Sequence, residues 1–352
     1  MISIALLGFG TVGSGVAEVL TDYKNRILTQ TGLAFDIKYI LDLRDFPGHP
    51  LSDRVVHDFD VILRDPDVSI VAEMMGGVHP AYDFTLAALR AGKNVVTSNK
   101  AVVAAYGPEL LKEANEHSVR YLFEASVGGG IPIIRPLTEQ ADENDITEIV
   151  GILNGTTNYI LTAMRETGVS FDEALKTAQK LGYAEADPTA DVDGFDACRK
   201  ICILAAVAFG VLVPFEQVRT VGIRSVTPDA VRKAEQNGAA VKLIARALRT
   251  KNGLVLAVEP MAVRLDNPLS GIRDVYNGIL IRGRVSGDLL FYGKGAGKLP
   301  TAGAVVTDIL DIAKRAPHQP RQTLWRRDAS SLISVLTPEE AEATGKDLGF
   351  PL

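Results

Sequence analysis

The hexapeptide Gly8-Phe9-Gly10-Thr11-Val12-Gly13 constrains this chain more than any other stretch, because of what stands on either side of it. Before it, Ile2–Leu7 is a short apolar, β-branched run of the kind that forms a buried parallel strand. After it, Val12, Val16, Val19, Leu20, Ile27 and Leu28 recur at roughly helical spacing as far as Thr29. Between a strand and a helix each glycine of a GxGxxG has a job. Gly8 makes the tight turn, Gly10 lets the backbone approach a pyrophosphate, and Gly13 permits close helix–strand packing. The free N–H groups and the positive end of the helix dipole then hold the phosphates. A glycine turn with a purely structural role is the alternative; the position in the chain favours a dinucleotide site.

The alternation continues through the first third. Phe35–Leu43, Val68–Met74, Asn94–Thr97 and Arg120–Glu124 read as strands, and Ala81–Arg90, stopped by Gly92, and Pro108–His117 read as helices. Strands regularly separated by helices imply a doubly wound, Rossmann-type parallel sheet, an α/β dinucleotide-binding domain over residues 1–130. The second strand ends in Asp42 and Arg44. An acid there binds the ribose hydroxyls of NAD, and an arginine accommodates the 2′-phosphate of NADP. Two apart on a strand, they share a face, and the sequence leaves NAD against NADP open.

From about Ala125 the alternation stops. Ile146–Leu153 reads as a strand, Gly155-Thr156-Thr157-Asn158-Tyr159 as a turn capped into a helix, and Phe171–Leu181 as a helix ended by Gly182. Lys242–Arg249 and Leu254–Arg264 flank the hairpin signal Lys251-Asn252-Gly253, and Ile279–Val285 and Leu289–Tyr292 form a second pair. These describe an α+β substrate and dimerisation domain over residues 131–298. An amphipathic helix, Thr301–Arg315 within 299–316, returns to the first domain, and 317–352 is a polar tail.

With 352 residues the chain is long enough for two such domains. The net charge of -6 argues against a nucleic-acid or membrane-surface binder, which would carry a basic face. Cys198 and Cys202, four apart in an expected helix, read as small buried apolar residues, not a disulfide or metal pair. Two cysteines, no signal peptide at the N-terminus and no apolar run of about 20 residues lead us to expect a cytoplasmic protein.

Residues 178–200, AQKLGYAEADPTADVDGFDACRK, concentrate Glu185, Asp187, Asp191, Asp193 and Asp196 ahead of Lys200. Asp196 and Lys200 share a face if a helix starts near Gly194. Ile201–Phe209 is apolar all round and therefore buried. Lys200 thus sits at the mouth of a core helix, where an ammonium needs an acid partner and where partial burial favours release of its proton. An ordinary surface ion pair is the bland alternative. A calcium loop is another, but DPTADVD lacks the glycine and glutamate of the EF-hand pattern. A second lysine, in Ser98-Asn99-Lys100, follows a strand at the carboxyl end of the sheet, where open α/β folds bind ligands.

The pattern Ala178-x3-Gly182-Tyr183-Ala184-x2-Asp187-Pro188-x2-Asp191-Val192-x-Gly194-x-Asp196-x3-Lys200 resembles the signature of homoserine dehydrogenases. The likeness extends through Ser98–Ala101, Glu124–Pro132, Asn154–Tyr159 and Gly293–Ala302, so it covers about residues 1–315. It implies interconversion of L-homoserine and L-aspartate 4-semialdehyde with NAD or NADP, on the route to threonine and methionine. It implies Lys200 as proton donor with Lys100 near the reacting centre, and Glu185 and Asp196 as substrate ligands. Asp191 would help to hold Lys200. Gly182 and Gly297 would contact the nicotinamide end, with Ser98 and Lys100 beside the cofactor. It further implies a sodium ion on Glu124 and the backbone carbonyls of Val127, Gly129 and Ile131, and a homodimer or homotetramer. A glycine-rich hinge is the other reading of that turn. Many members carry a C-terminal regulatory domain; residues 316–352 are too short for one, so we expect a form without it.

Competing readings remain another NAD(P)-dependent reductase of a small amino-acid-like substrate, and a dinucleotide-sensing regulator without catalysis. The regulator would keep the glycine loop without needing Lys100, Lys200 and Asp196 together. A semialdehyde dehydrogenase forming an acyl-enzyme would need a cysteine outside a buried helix.

Overall fold

A computed structural model describes residues 1–141, 143–315, 322–327 and 348–352 and divides the chain into two compact units. The first comprises Met1–Pro132 with Ala296–Trp325, the second Ile133–Gly295 with Arg326–Leu352.

The first unit is built on six strands: β1 (Ile2–Leu7), β2 (Phe35–Leu41), β3 (Val55–Val56), β4 (Val68–Glu73), β5 (Asn94–Thr97) and β6 (Tyr121–Leu122). All pair in parallel, in the order β3-β2-β1-β4-β5-β6. The order turns back between β1 and β4, and the carboxyl ends of strands at such a point are where doubly wound sheets bind ligands. Five helices connect them: α1 (Thr11–Asp22), α2 (Lys24–Thr31), α3 (Phe59–Arg64), α4 (Ala81–Arg90) and α5 (Lys100–Glu116).

Three expectations change here. The first helix breaks at Tyr23 into α1 and α2, where the helical spacing ran on to Thr29. β2 ends at Leu41, leaving Asp42 and Arg44 beyond the strand. α5 begins two turns before Pro108, which lies inside it. Proline lacks an N–H and favours helix starts, but here the Asn99 cap fixes the start.

In the second unit α6 (Ile134–Gln140) precedes β7 (Ile146–Ile152), followed by α7 (Gly155–Thr167), α8 (Phe171–Lys180), α9 (Thr189–Val192) and α10 (Phe195–Phe209). Then come β8 (Val211–Leu212), β9 (Arg219–Thr220), α11 (Pro228–Gln236), β10 (Ala239–Thr250), β11 (Gly253–Arg264), β12 (Tyr276–Gly283), β13 (Gly287–Lys294), β14 (Arg326–Arg327) and β15 (Gly349–Pro351). The main sheet runs β13-β12-β7-β10-β11-β15, with β9 paired to β11. The expected hairpins form, the first with Thr250 opposite Gly253. α10 packs on β7, β10 and β11. Its residues Ile201–Ala206 are fully buried and both cysteines are buried and free, as their apolar setting predicted.

α12 (Lys298–Arg315) returns to the first unit, where Val305 and Ile309 join Ile4, Leu6, Val16 and Ile40 in one core. Most of the tail at 317–352 lies outside the described residues. Its described parts have structural work. Gln322 uses its side-chain amide on both backbone groups of Tyr121, each at 2.7 Å, closing the β6 edge of the sheet. Trp325 packs edge-on to Phe123, in space that Gly107 leaves by having no side chain. Among the described residues no helix is long and apolar enough to cross a membrane.

Candidate active site

At the carboxyl ends of β1, β2 and β4 lies a cavity of about 530 Å³ lined by Gly8, Gly10, Asp42, Arg44, Met74 and Met75, among others. Gly8 has φ +89°, open to glycine without strain. At Gly13 a Cβ would stand 2.1 Å from the Gly8 carbonyl oxygen, so only glycine lets α1 pack this close to the turn. Around Gly10 nothing lies within 4 Å of a would-be Cβ, which leaves room for a phosphate beside the backbone. Phe9, Thr11 and Val12 fill the rest of the turn, with α1 starting at Thr11.

Asp42 and Arg44 both stand on the cavity rim. Asp42 Oδ2 accepts the Phe9 N–H at 2.8 Å, fixing the carboxylate against the glycine turn. Arg44 then folds back on the same carboxylate, Nε to Oδ1 at 2.9 Å and an Nη to Oδ2 at 3.0 Å. The guanidinium lowers Asp42 to about 2. The two residues do not present parallel side chains from one strand, because β2 has already ended; they form a closed pair. Phe46 lies under the guanidinium and edge-on to Phe9, bracing it. His57, on the same rim, lies 2.7 Å from the Asp42 carbonyl oxygen, a contact that raises its pKa.

Ser98 and Lys100 stand at the start of α5, with Lys100 half-buried. Asn99 caps the helix, its Oδ1 accepting from the N–H groups of Ala101 (3.1 Å) and Val102 (3.2 Å), while its amide donates to the Gly77 carbonyl at 2.7 Å. The first turn of α5, which begins with Lys100, is therefore capped by the same residue that ties down the Met75–Gly77 segment beyond β4. Further along, Glu124 is buried and its N–H donates to Asp308 on α12 at 2.9 Å. Gly128 and Gly129 both have positive φ, and the Ile131 N–H closes the turn on the Gly128 carbonyl at 2.8 Å. Gly297, with φ +125°, immediately precedes α12.

In the second unit the acid-rich stretch separates into distinct parts. Lys200 is 8 % exposed and donates to Asp196 Oδ2 and to the Leu153 carbonyl, both at 2.7 Å. The helix start at Gly194 and the shared face are as the spacing required. Asn154, which ends the apolar run of β7, caps α7 by accepting the Thr157 N–H, and its amide donates to Asp191 Oδ1 at 2.7 Å and Asp196 Oδ2 at 2.9 Å. Asp191, expected beside Lys200, thus enters the cluster through Asn154 and also through Thr156, whose hydroxyl lies 3.0 Å from its other oxygen. Glu185 is exposed, on the segment after Gly182, which has φ +74°. Asp187 Oδ1 accepts the Thr189 N–H just ahead of α9, and Asp193 forks with Arg224, so neither belongs to the cluster. Among the described residues no three His, Cys, Asp or Glu side chains converge as a metal site.

The arrangement is a buried ammonium whose charge is balanced by a carboxylate that is itself fixed by a neutral amide. Such a group can deliver a proton to a developing oxyanion at no cost in reorganisation. Asn154, Thr156 and Glu73 escape a reading by charge pattern. Asn154 and Thr156 look like capping residues, and Glu73 like the last polar residue of a strand; only the fold shows what they touch.

A family model described as "Homoserine dehydrogenase, NAD binding domain" matches residues 8–124, and one described as "Homoserine dehydrogenase" matches residues 132–310. The homoserine dehydrogenase of Synechocystis sp. is 47% identical over 319 residues, covering 88% of this chain and 73% of its own. A crystal structure of a homoserine dehydrogenase from Thiobacillus denitrificans superposes with a TM-score of 0.88 at 38% identity, covering 97% of this chain and 80% of that one. A hyperthermophilic archaeal homoserine dehydrogenase, solved in complex with NADPH, matches with a TM-score of 0.77 at 30% identity, covering 90% and 98% of the two chains. With family models matching the glycine turn and its sheet on one side and the acid–lysine helix on the other, the chain belongs to the homoserine dehydrogenase family.

Proposed function

We propose that Lys200 is the proton donor of this chain's homoserine dehydrogenase reaction, with Asp196 as its counter-ion and Asn154 holding that acid in place. The reaction is an NAD(P)-dependent oxidoreduction at a CH–OH group, interconverting L-homoserine and L-aspartate 4-semialdehyde. The bound nicotinamide supplies or accepts the hydride at C4. As hydride reaches the aldehyde carbon, negative charge grows on its oxygen, and a positioned ammonium stabilises and then protonates it. The buried Lys200–Asp196 pair is the observation that carries this reading. We assign Lys100 to the reacting centre, and Asp191 to shaping the substrate site through Asn154. Glu185, exposed and in no ion pair among the described residues, takes the substrate ammonium. We assign Gly182 and Gly297 to contacts with the nicotinamide end, and Ser98 to the cofactor.

The closed Asp42–Arg44 pair supports NAD as the preferred cofactor. The Asp42 oxygens already accept the N–H groups of Phe9 and Arg44 and both arms of the guanidinium, so ribose hydroxyls would take the place of a guanidinium N–H, whereas a 2′-phosphate would in addition meet the carboxylate's charge. A monovalent cation fits the Glu124 turn: a buried carboxylate and the carbonyls of Val127, Gly129 and Ile131 are hard oxygen donors on one short segment whose two glycines turn the backbone. We assign the protein to the cytoplasm and to a homodimer or homotetramer, the latter supported by exposed Leu290 and Tyr292 on the edge strand β13. Its product feeds threonine and methionine synthesis.

The test is spectrophotometric: homoserine-dependent reduction of NAD and of NADP in parallel, with and without sodium. Reduction of NAD ahead of NADP is expected, and no reduction of either contradicts the reading.

A further inference from the structure

We propose that Glu73 is a positioning residue for the cofactor: its buried carboxylate holds the Met74–Gly77 wall of the cofactor cavity and the Asn99 cap of α5 in one arrangement. Glu73 is the last residue of β4, fully buried, at the point where the strand order turns back. Its Oε1 accepts the Met75 N–H at 2.7 Å and the Asn99 amide at 3.4 Å, and its Oε2 accepts the Thr97 hydroxyl at 2.5 Å. Thr97 Oγ1 in turn accepts the Asn99 N–H at 2.8 Å, and the Asn99 amide reaches the Gly77 carbonyl. One carboxylate therefore joins the end of β4, the end of β5, the cap of the helix that begins with Lys100, and the segment carrying cavity residues Met74, Met75 and Gly76.

Two features say that this group is kept for its charge. None of these partners is a cation; the Met75 N–H and the Asn99 amide can only donate, so Oε1 has to accept, and the Thr97 hydroxyl, which already takes the Asn99 N–H, donates to Oε2 when Glu73 is ionised. Burial opposes that form and pushes Glu73 up to about 7. An apolar residue such as the preceding Val71 and Ala72 would pack there without that penalty. The titratable side chain facing it from β6 is Tyr121, fully buried and raised first by its own burial and then by the Glu73 charge. When Glu73 takes a proton on Oε2, the Thr97 hydroxyl has to turn and accept where it had donated, so the Thr97–Asn99 link reorganises and the cavity wall loosens.

The inference rests on the assignment of the cavity to the dinucleotide. It separates function from stability in a way a packing role does not. Because the folded-state pKa is raised, the folded chain holds a proton on Glu73 that the unfolded chain releases, between the ordinary carboxylate range and about 7. Ionisation across that window costs stability while it improves cofactor binding.

The experiment titrates NADH by fluorescence between about pH 5.5 and about pH 8.5 for wild type, E73Q and T97V, with thermal melts alongside. For wild type the dissociation constant should rise on the order of tenfold as pH falls through about 7. E73Q should bind weakly at both ends, and its Tm relative to wild type should climb with pH. His57 titrates in both proteins and cancels in the comparison. T97V, lacking the hydroxyl that favours the charged form, should move the midpoint upward. Wild-type affinity in folded E73Q overturns the proposal, as does affinity and Tm falling together. Should E73Q not fold, an unmoved midpoint in T97V overturns it. Wild type that binds neither NADH nor NADPH overturns the cavity assignment and this inference with it.

Discussion

Lys200 Nζ lies 2.7 Å from Asp196 Oδ2, one helical turn earlier on α10, and both side chains are buried. In water such an i,i+4 pair contributes a few tenths of a kcal/mol, but at low exposure the cost of leaving either charge alone dominates. Asp196→Ala should therefore destabilise the fold by about 3–5 kcal/mol. Removing both charges, as in Lys200→Met with Asp196→Leu, should cost less than the single change. Denaturant unfolding of the two variants beside wild type checks this, and a double variant no more stable than Asp196→Ala contradicts it.

Asn154 does two jobs with one side chain, capping α7 and donating to both Asp191 and Asp196. Asn154→Ala should cost about 1–2 kcal/mol for the cap. It should also lower turnover by at least ~10-fold, because Asp196 loses the group that aims it. Measured kcat and KM for homoserine separate the two effects: a variant with lost stability and full turnover contradicts the positioning role.

The Asp42–Arg44 fork makes cofactor choice testable. Asp42→Ala removes the carboxylate facing the ribose and frees the guanidinium, so the ratio of kcat/KM for NADP over NAD should rise by at least ~10-fold. Arg44→Ala should leave NAD use within about twofold and weaken NADP further. Equal effects of each variant on both cofactors would show that neither residue reaches the ribose.

What the sequence made legible was whatever local chemistry dictates. Ala81–Arg90 and Asn94–Thr97 fall where periodicity and Gly92 put them, and the apolar run after Lys200 is buried as its composition required. The two-residue strand β3 and the short helix α3 were not legible, because segments that short owe their structure to neighbours. The same holds for the site. Charge spacing pairs Asp196 with Lys200, since both sit on one helix. It cannot show that Asn154, thirty-seven positions before Asp191, bridges two acids, nor that Asp42 and Arg44 bond to each other once β2 stops at Leu41.

Lys242 gives the second unit a distinct pH response. It is buried on β10, donates to Asn158 Oδ1 at 3.1 Å and to the Ile272 carbonyl, and is lowered by burial from 10.5 to about 8. Between about 8 and 10.5 the unfolded chain holds a proton that the folded chain has released, so stability rises with pH across that window. The full effect is about 3 kcal/mol at 1.36 kcal/mol per pKa unit, an upper figure for a group this buried. Lys242→Met should lack the rise. A Tm difference between wild type and the variant that stays constant from about pH 7.5 to about pH 10 contradicts the assignment.

The central claim is that Lys200 delivers the proton as hydride is transferred, and Lys200→Ala tests it most directly. Steady-state turnover of homoserine with saturating NAD should fall by at least ~10²-fold, while NADH affinity, measured separately, changes by less than about twofold. Near-normal turnover in a folded Lys200→Ala enzyme would contradict the account.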